Sequence, residues 1–162
     1  MPMRLPHPKT IVVALLSAGL VVLAAYFILM DLVVIPRAEA TIDRVGLRLE
    51  APAALAVGER GTLVLRVDNA GNGEPVKLRD LMLTPELAGL VRFDRQALRA
   101  LGAQPEGARV VWDRVIAAGG HFEFALPFHA AAAGRQAGTL RVLFEVPRVT
   151  KGRLLPLTIE VR

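Results

Sequence analysis

The chain has 162 residues, of which 53% are hydrophobic and only 5% aromatic, and its formal net charge is +5. It contains no cysteine, which excludes disulfides, thiolate metal sites and a lipidated N-terminal cysteine. The 20 basic residues form no stripe and are interspersed with 15 acidic ones, which argues against a nucleic-acid-binding protein. The mean hydropathy of +0.44 is high for a soluble domain and requires a local explanation.

The N-terminal region supplies that explanation, because residues 11–30 contain no charged side chain. A helix rises about 1.5 Å per residue, so about 20 such residues cross a hydrocarbon core of ~30 Å. We predict one transmembrane helix over residues 11–35, in contact with the lipid bilayer. A short N-terminus at residues 1–10 precedes it and a linker at residues 36–44 follows, with Pro36 expected to end the helix.

The charges beside this segment predict its orientation. Arg4 and Lys9 precede it without any acidic residue, and Asp31 follows the first apolar run at once. The positive-inside rule then places residues 1–10 in the cytoplasm. The expected location is the inner (cytoplasmic) membrane, with a single pass and the C-terminal domain in the periplasm or outside the cell.

A cleaved signal peptide is the alternative to a membrane anchor. Residues 38–40 read Ala-Glu-Ala, which fits the pattern of small residues at a cleavage site. However, a signal peptide has an apolar core of only about 7–15 residues, and here the apolar character resumes at residues 32–35. We therefore favour a signal-anchor helix. Both alternatives export the remainder of the chain.

The remainder, residues 45–162, consists of short alternating runs separated by Gly, Pro, Asn and Asp. Alternation with a period of two indicates strands that bury one face. We predict an all-β fold, an immunoglobulin-like antiparallel β-sandwich of about seven or eight strands. The alternating runs are residues 45–50, 63–68, 121–128, 139–146 and 155–161, and further strands are expected at residues 76–83 and 109–115.

Several local features refine this prediction. Phe122, Phe124, Leu126 and Phe128, with Trp112, are expected to form the centre of the core. Residues 94–101 have apolar positions at helical spacing behind a possible N-cap, Asp94, and predict a short helical turn. Pro127 is expected to mark an edge strand or the end of its strand. Residues 134–138 are expected to form a turn.

The order of these runs resembles a known kind of module. Residues 57–72 contain Val-Gly-Glu, a strand and Asn-Ala-Gly-Asn, and residues 117–128 contain Ala-Ala-Gly-Gly before a further strand. This order resembles bacterial immunoglobulin-like repeat modules of the CARDB kind. Residues 45–49 and 65–69 are similar to the type 2 late-embryogenesis-abundant domain. Both resemblances imply an immunoglobulin-like sandwich without catalytic residues, and therefore binding, spacing or support.

Candidate chemistry is sparse. His121 and Glu123 would share one strand face about 6.6 Å apart, which makes them weak candidates for a metal site. His129 on the same face lies too far along a straight strand to join them. Ser17 is the only serine and lies in the apolar segment, so the exported domain has no serine nucleophile. The carboxylates of Asp80, Glu86, Asp94 and Asp113 are expected to be scattered surface acids.

These observations predict no catalytic, cofactor-binding or firm metal-binding residue. The expected function is a non-enzymatic interaction or structural module, an accessory subunit with a protein partner in the membrane or envelope. Pairing at a strand edge is one physical route to such a partner. The alternative is a small exported protein that handles a metal or binds a ligand.

Overall fold

The computed structural model describes residues 8–162, so Arg4 and most of the predicted cytoplasmic N-terminus lie outside the described residues. The chain divides into two compact units, Met1–Arg37 and Ala38–Arg162.

The helical part consists of α1 (Pro8–Leu29), a π-helical turn (Met30–Val34) and α2 (Ile35–Asp43). A stretch of 29 residues, Leu15–Asp43, is long and apolar enough to cross a membrane, with a mean hydropathy of 2.5 in its most apolar window. None of that window is buried by the rest of the chain. The prediction of an N-terminal apolar helix is therefore confirmed.

The prediction that the helix ends at Pro36 is wrong, because α2 continues through this residue to Asp43. Proline has no N–H for the i to i−4 bond, and its ring crowds the carbonyl one turn earlier. The chain widens into the π-helical turn just before Pro36, where Ile35 N–H donates to the Met30 carbonyl. A π-helical turn relieves such a conflict without ending the helix.

The expected linker at residues 36–44 is also mostly helical, and its last part belongs to the second unit. Thr41 and Ile42 are buried against the sandwich. The Arg153 guanidinium donates to the carbonyls of Asp43, at 3.2 Å, and Val45. A cation at this position satisfies carbonyls that a helix C-terminus leaves free.

The second unit contains nine strands in two antiparallel sheets. Sheet A has the order β1-β2-β7-β4 and sheet B the order β5-β6-β3-β8-β9. The strands are β1 (Gly46–Glu50), β2 (Arg60–Asp68), β3 (Val76–Leu83), β4 (Val91–Phe93), β5 (Gln104–Glu106), β6 (Arg109–Ile116), β7 (His121–Ala130), β8 (Gly134–Val146) and β9 (Val149–Val161). Two short helices, α3 (Pro85–Leu90) and α4 (Arg95–Ala100), flank β4.

This arrangement confirms the predicted all-β sandwich. The orders β1-β2-β7-β4 and β3-β8-β9 match the ABED and CFG sheets of the immunoglobulin fold. Helix α4 begins behind Asp94, whose side chain accepts the Ala97 N–H, so the predicted helical turn and its N-cap are confirmed. The predicted number of strands was too low, because β4 and β5 have only three residues each.

The core lies between the sheets and is only partly the one predicted. Phe124, Leu126 and Phe128 are fully buried. Phe122 and Trp112 are instead half-buried at one side of the sandwich, where they stack edge-on or tilted against Phe124. The aromatic cluster therefore extends from the core to the side of the sandwich where Trp112 and Phe122 are half-buried, which we call the open side.

Two expected strand boundaries are wrong. β7 continues through Pro127, which therefore does not end its strand. β2 lies along one side of β7, and on the other side β4 pairs only with Phe128–Ala130. The N–H and C=O groups of one strand residue point to the same side of the strand. The Pro127 carbonyl accepts the Asp94 N–H, so the N–H that proline lacks would also point to the β4 side, just beyond the end of β4. Residues 134–138 are not a turn but the first part of β8, which pairs with the end of β9.

Candidate functional site

The outer face of sheet A carries a concavity of about 560 Å³, which we call the charged groove. Neighbouring positions on β1, β2 and β7 form it, because Gly46 lies opposite Asp68, which lies opposite His121. Gly46 has no side chain, and a Cβ there would approach the Asp68 Cβ to 3.3 Å. The charged side chains of the groove are those of Arg48, Arg66, Asp68 and Glu123, and the imidazole of His121 lies among them.

Arg66 organises the groove. Its Nε donates to Glu123 Oε2 at 2.9 Å and its Nη1 to Glu50 Oε1 at 2.8 Å, joining three strands. The hydrogen bond to Glu123, with the charge of Glu50, raises the pKa of Arg66 above its usual value. Arg48 has no ion-pair partner among residues 8–162.

The structure places the two candidate metal ligands in this groove, on one face as expected. Glu123, however, is held by Arg66, and a guanidinium beside a carboxylate competes with a cation. Within the described part of the chain, no group of three or more His, Asp or Glu side chains is placed to hold a metal ion. The geometry thus favours ion pairing over metal binding at this position.

His129 lies away from the groove and contacts a different carboxylate. Its Nε2 is 3.3 Å from Asp94 Oδ2, and the Arg60 guanidinium is 3.9 Å from the same oxygen. The pKa of Asp94 is lowered, chiefly because the Ala97 N–H donates to its carboxylate and also because His129 and Arg60 are close. Asp94 therefore acts as the N-cap that the sequence predicted, and with a side chain only 16% exposed it is not one of the scattered surface acids.

The cap predicts a specific pH dependence of stability. A lowered pKa in the folded state stabilises the fold above the ordinary pKa of about 3.9, and this contribution is lost as the pH falls through the folded-state pKa. Asp94→Asn keeps a good N-cap but cannot titrate. We expect the difference in melting temperature between wild type and Asp94→Asn to shrink from about pH 6 to pH 2. A difference that does not change with pH would contradict this account.

Asp80 was also expected at the surface, but its side chain is only 1% exposed. It lies on the outer face of sheet B beneath Arg109, whose Nη2 donates to Oδ2 at 2.6 Å. Arg141 Nη2 is 3.7 Å from Oδ1, which accepts no hydrogen bond from the described residues. Sequence reasoning missed this buried carboxylate because its partners come from two other strands.

Asp113 is a third acid with a structural role. It has a φ of 46° in the left-handed region, at a point where β6 has one residue more than β3. Its carboxylate contacts Lys77 at 3.1 Å and Arg79 at 3.0 Å. This β-bulge twists β6 beside Trp112 at the open side of the sandwich.

No family model matches the chain, and neither does any curated protein.

Proposed function

We propose that this protein is a membrane-anchored, non-enzymatic interaction module whose sandwich serves a larger membrane or envelope complex. The observation that carries the proposal is the apolar helix, whose most apolar window is not covered by any other part of the described chain. About 20 exposed apolar residues are unfavourable in water and suited to a bilayer. The N-terminus would then be cytoplasmic and the sandwich extracytoplasmic, because Arg4 and Lys9 precede the helix.

The docked end of α2 supports an anchor over a cleaved signal peptide. The candidate cleavage residues 38–40 lie inside α2, and the next two residues, Thr41 and Ile42, are buried. A peptidase requires an extended, accessible chain, so cleavage there would first require this helix to open. An uncleaved membrane anchor does not require the helix to open.

The side chains of the sandwich support a binding role. His129 and most of the carboxylates considered above as candidate chemical groups are in ion pairs, a helix cap or a buried cluster, as for Glu123, Asp94 and Asp80. An activated nucleophile requires an adjacent free base, and the only serine, Ser17, donates its hydroxyl to Val13 in α1. The exposed arginines, such as Arg48, provide charge that steers a partner to the module.

The test is affinity purification of the full chain with a C-terminal tag from detergent-solubilised membranes. Mass spectrometry of the same sample gives the mature N-terminus. We expect uncleaved protein in the membrane fraction, together with a stoichiometric protein partner. A chain that begins near Thr41 and is recovered alone from the soluble fraction would refute the proposal.

A further inference from the structure

The open side of the sandwich carries a free strand edge on β7. Asn69 N–H donates to the Gly120 carbonyl at 2.8 Å, just beyond the paired residues of β2 and β7. In an antiparallel ladder, backbone groups point alternately to the two sides, so even-numbered β7 residues bond to β2. The N–H and C=O groups of His121 and Glu123 therefore point away from β2.

On that other side, β4 pairs only with Phe128–Ala130, the last three residues of β7. Asp94 N–H adds one bond to the Pro127 carbonyl, and α4 then replaces β4 beside the sheet. Among residues 8–162, no strand pairs with β7 on this side from His121 to Leu126. The sheet thus ends there with unused ladder groups.

The neighbouring sheet is open at the same side. β5 pairs with β6 only as far as Val111, which leaves Trp112 and the residues after it without a strand beside them. Trp112 and Phe122 are half-buried between the two sheets. The indole N–H of Trp112 makes no hydrogen bond within the described chain, although a Trp N–H in a buried setting usually has an acceptor.

Arg114 gives the open side its positive charge. Its guanidinium carbon lies 4.6 Å from the centre of the Phe122 ring. No carboxylate of the described residues pairs with it, whereas the adjacent Asp113 is paired with Lys77 and Arg79. The open side is therefore apolar and aromatic, with one positive charge that no carboxylate of the described residues pairs.

The longest edge of the sandwich is protected in a way that the β7 edge is not. Leu55 lies beside β9, on the side away from β8. Its carbonyl accepts the Arg162 N–H and its N–H donates to the Glu160 carbonyl, so the backbone groups of even-numbered β9 residues point outward. Pro156 occupies one of these outward positions and removes a donor, a common protection of edge strands. Between His121 and Leu126, the β7 edge has no proline.

Building on the proposed function, we propose that the partner docks at the β7 edge as an added β-strand. The occupant is an extended segment of another envelope protein, lying beside residues 121–125 and continuing the line of β4. Its inward side chains are apolar against Phe122 and Trp112, with one acidic residue that pairs with Arg114. Backbone hydrogen bonds of this kind supply affinity, and alternate side chains supply specificity.

The test uses the full chain in lipid nanodiscs and a phage-displayed library of random nonapeptides as the probe. We expect selected peptides to alternate apolar residues and to contain an acid. Glu123→Pro removes an outward N–H and is expected to weaken their binding by about tenfold or more. Thr158→Pro, which removes an outward donor of β9, is the matched control with unchanged binding. Glu123→Ala, which removes only the side chain, is expected to weaken binding far less than Glu123→Pro.

Thermal melting checks that Glu123→Pro is folded, and if it is not, His121→Pro removes another outward donor, at the start of β7. Binding should also slow amide hydrogen exchange at residues 121 and 123. Peptides that bind Glu123→Pro and His121→Pro as well as wild type, or no enriched peptide at all, would overturn the β7 edge as the docking site. A partner recovered from membranes alongside either result would leave the proposed function intact.

Discussion

Phe124→Ala is expected to lower the free energy of unfolding of the sandwich by about 3–5 kcal/mol, the usual cost of removing a fully buried Phe side chain. Phe124 is completely buried and packs against both Trp112, at 4.7 Å between ring centres, and Phe122, at 4.5 Å. A domain of this size is stable by only about 5–15 kcal/mol, so the loss is a large fraction of the total. Denaturant unfolding followed by the fluorescence of Trp112, the only tryptophan, measures it.

Phe122→Ala is the matched control, because Phe122 lies on the same strand but is only half-buried at the open side. We expect it to cost clearly less than Phe124→Ala, since the vacated space is reached by water and leaves no closed cavity. Equal losses for the two variants would show that the open side is closed in solution.

Asn69→Ala is the second change with a large expected effect. The Asn69 side chain is fully buried, and its Nδ2 donates to the carbonyls of Glu74, at 3.0 Å, and Ala117, at 2.9 Å. Its Oδ1 accepts from Asn72 Nδ2 at 2.7 Å. Each buried group left unsatisfied costs about 1–3 kcal/mol, so we expect a total loss of about 2–4 kcal/mol. Chemical denaturation with a linear extrapolation provides the measurement.

Asn72→Ala provides a graded comparison. Asn72 Nδ2 also donates to the Thr41 carbonyl at 2.9 Å, but its Oδ1 is buried without a hydrogen bond in the described chain. Removing Asn72 therefore also removes an unsatisfied group, and we expect a loss of only about 1–2 kcal/mol. If Asn72→Ala proved more costly than Asn69→Ala, the Asn69 amide would not be the centre of this network.

Sequence patterns predicted the parts of the fold that are determined by residues close together in the sequence. Residues 63–68 and 140–146 alternate for long enough to reveal a strand with one buried face, and Asp94 marks the start of α4. β4 and β5 were missed because three residues are too few for an alternation to appear. The prediction that the helix ends at Pro36 is wrong because no sequence pattern indicates the π-helical turn that accommodates this proline.

The candidate site was predicted only in part, for a similar reason. Strand periodicity put His121 and Glu123 on one face, but the contact of Glu123 with Arg66 depends on the register between β7 and β2. The same holds for Asp80, which is buried by Arg109 and Arg141 from the two neighbouring strands. Such contacts join residues far apart in sequence, and a single sequence carries no signal for them.

If the apolar helix anchors the protein as proposed, Pro156 also bears on how many copies can share one membrane. Copies that diffuse in a plane meet far more often than the same number in solution, and an unprotected edge along the first part of β9 would invite sheet-to-sheet polymerisation. A single missing N–H in the middle of β9 interrupts that pairing without altering the buried face of the strand. Crowding in the bilayer would then leave the molecules separate from one another, and dense expression would not by itself produce fibres.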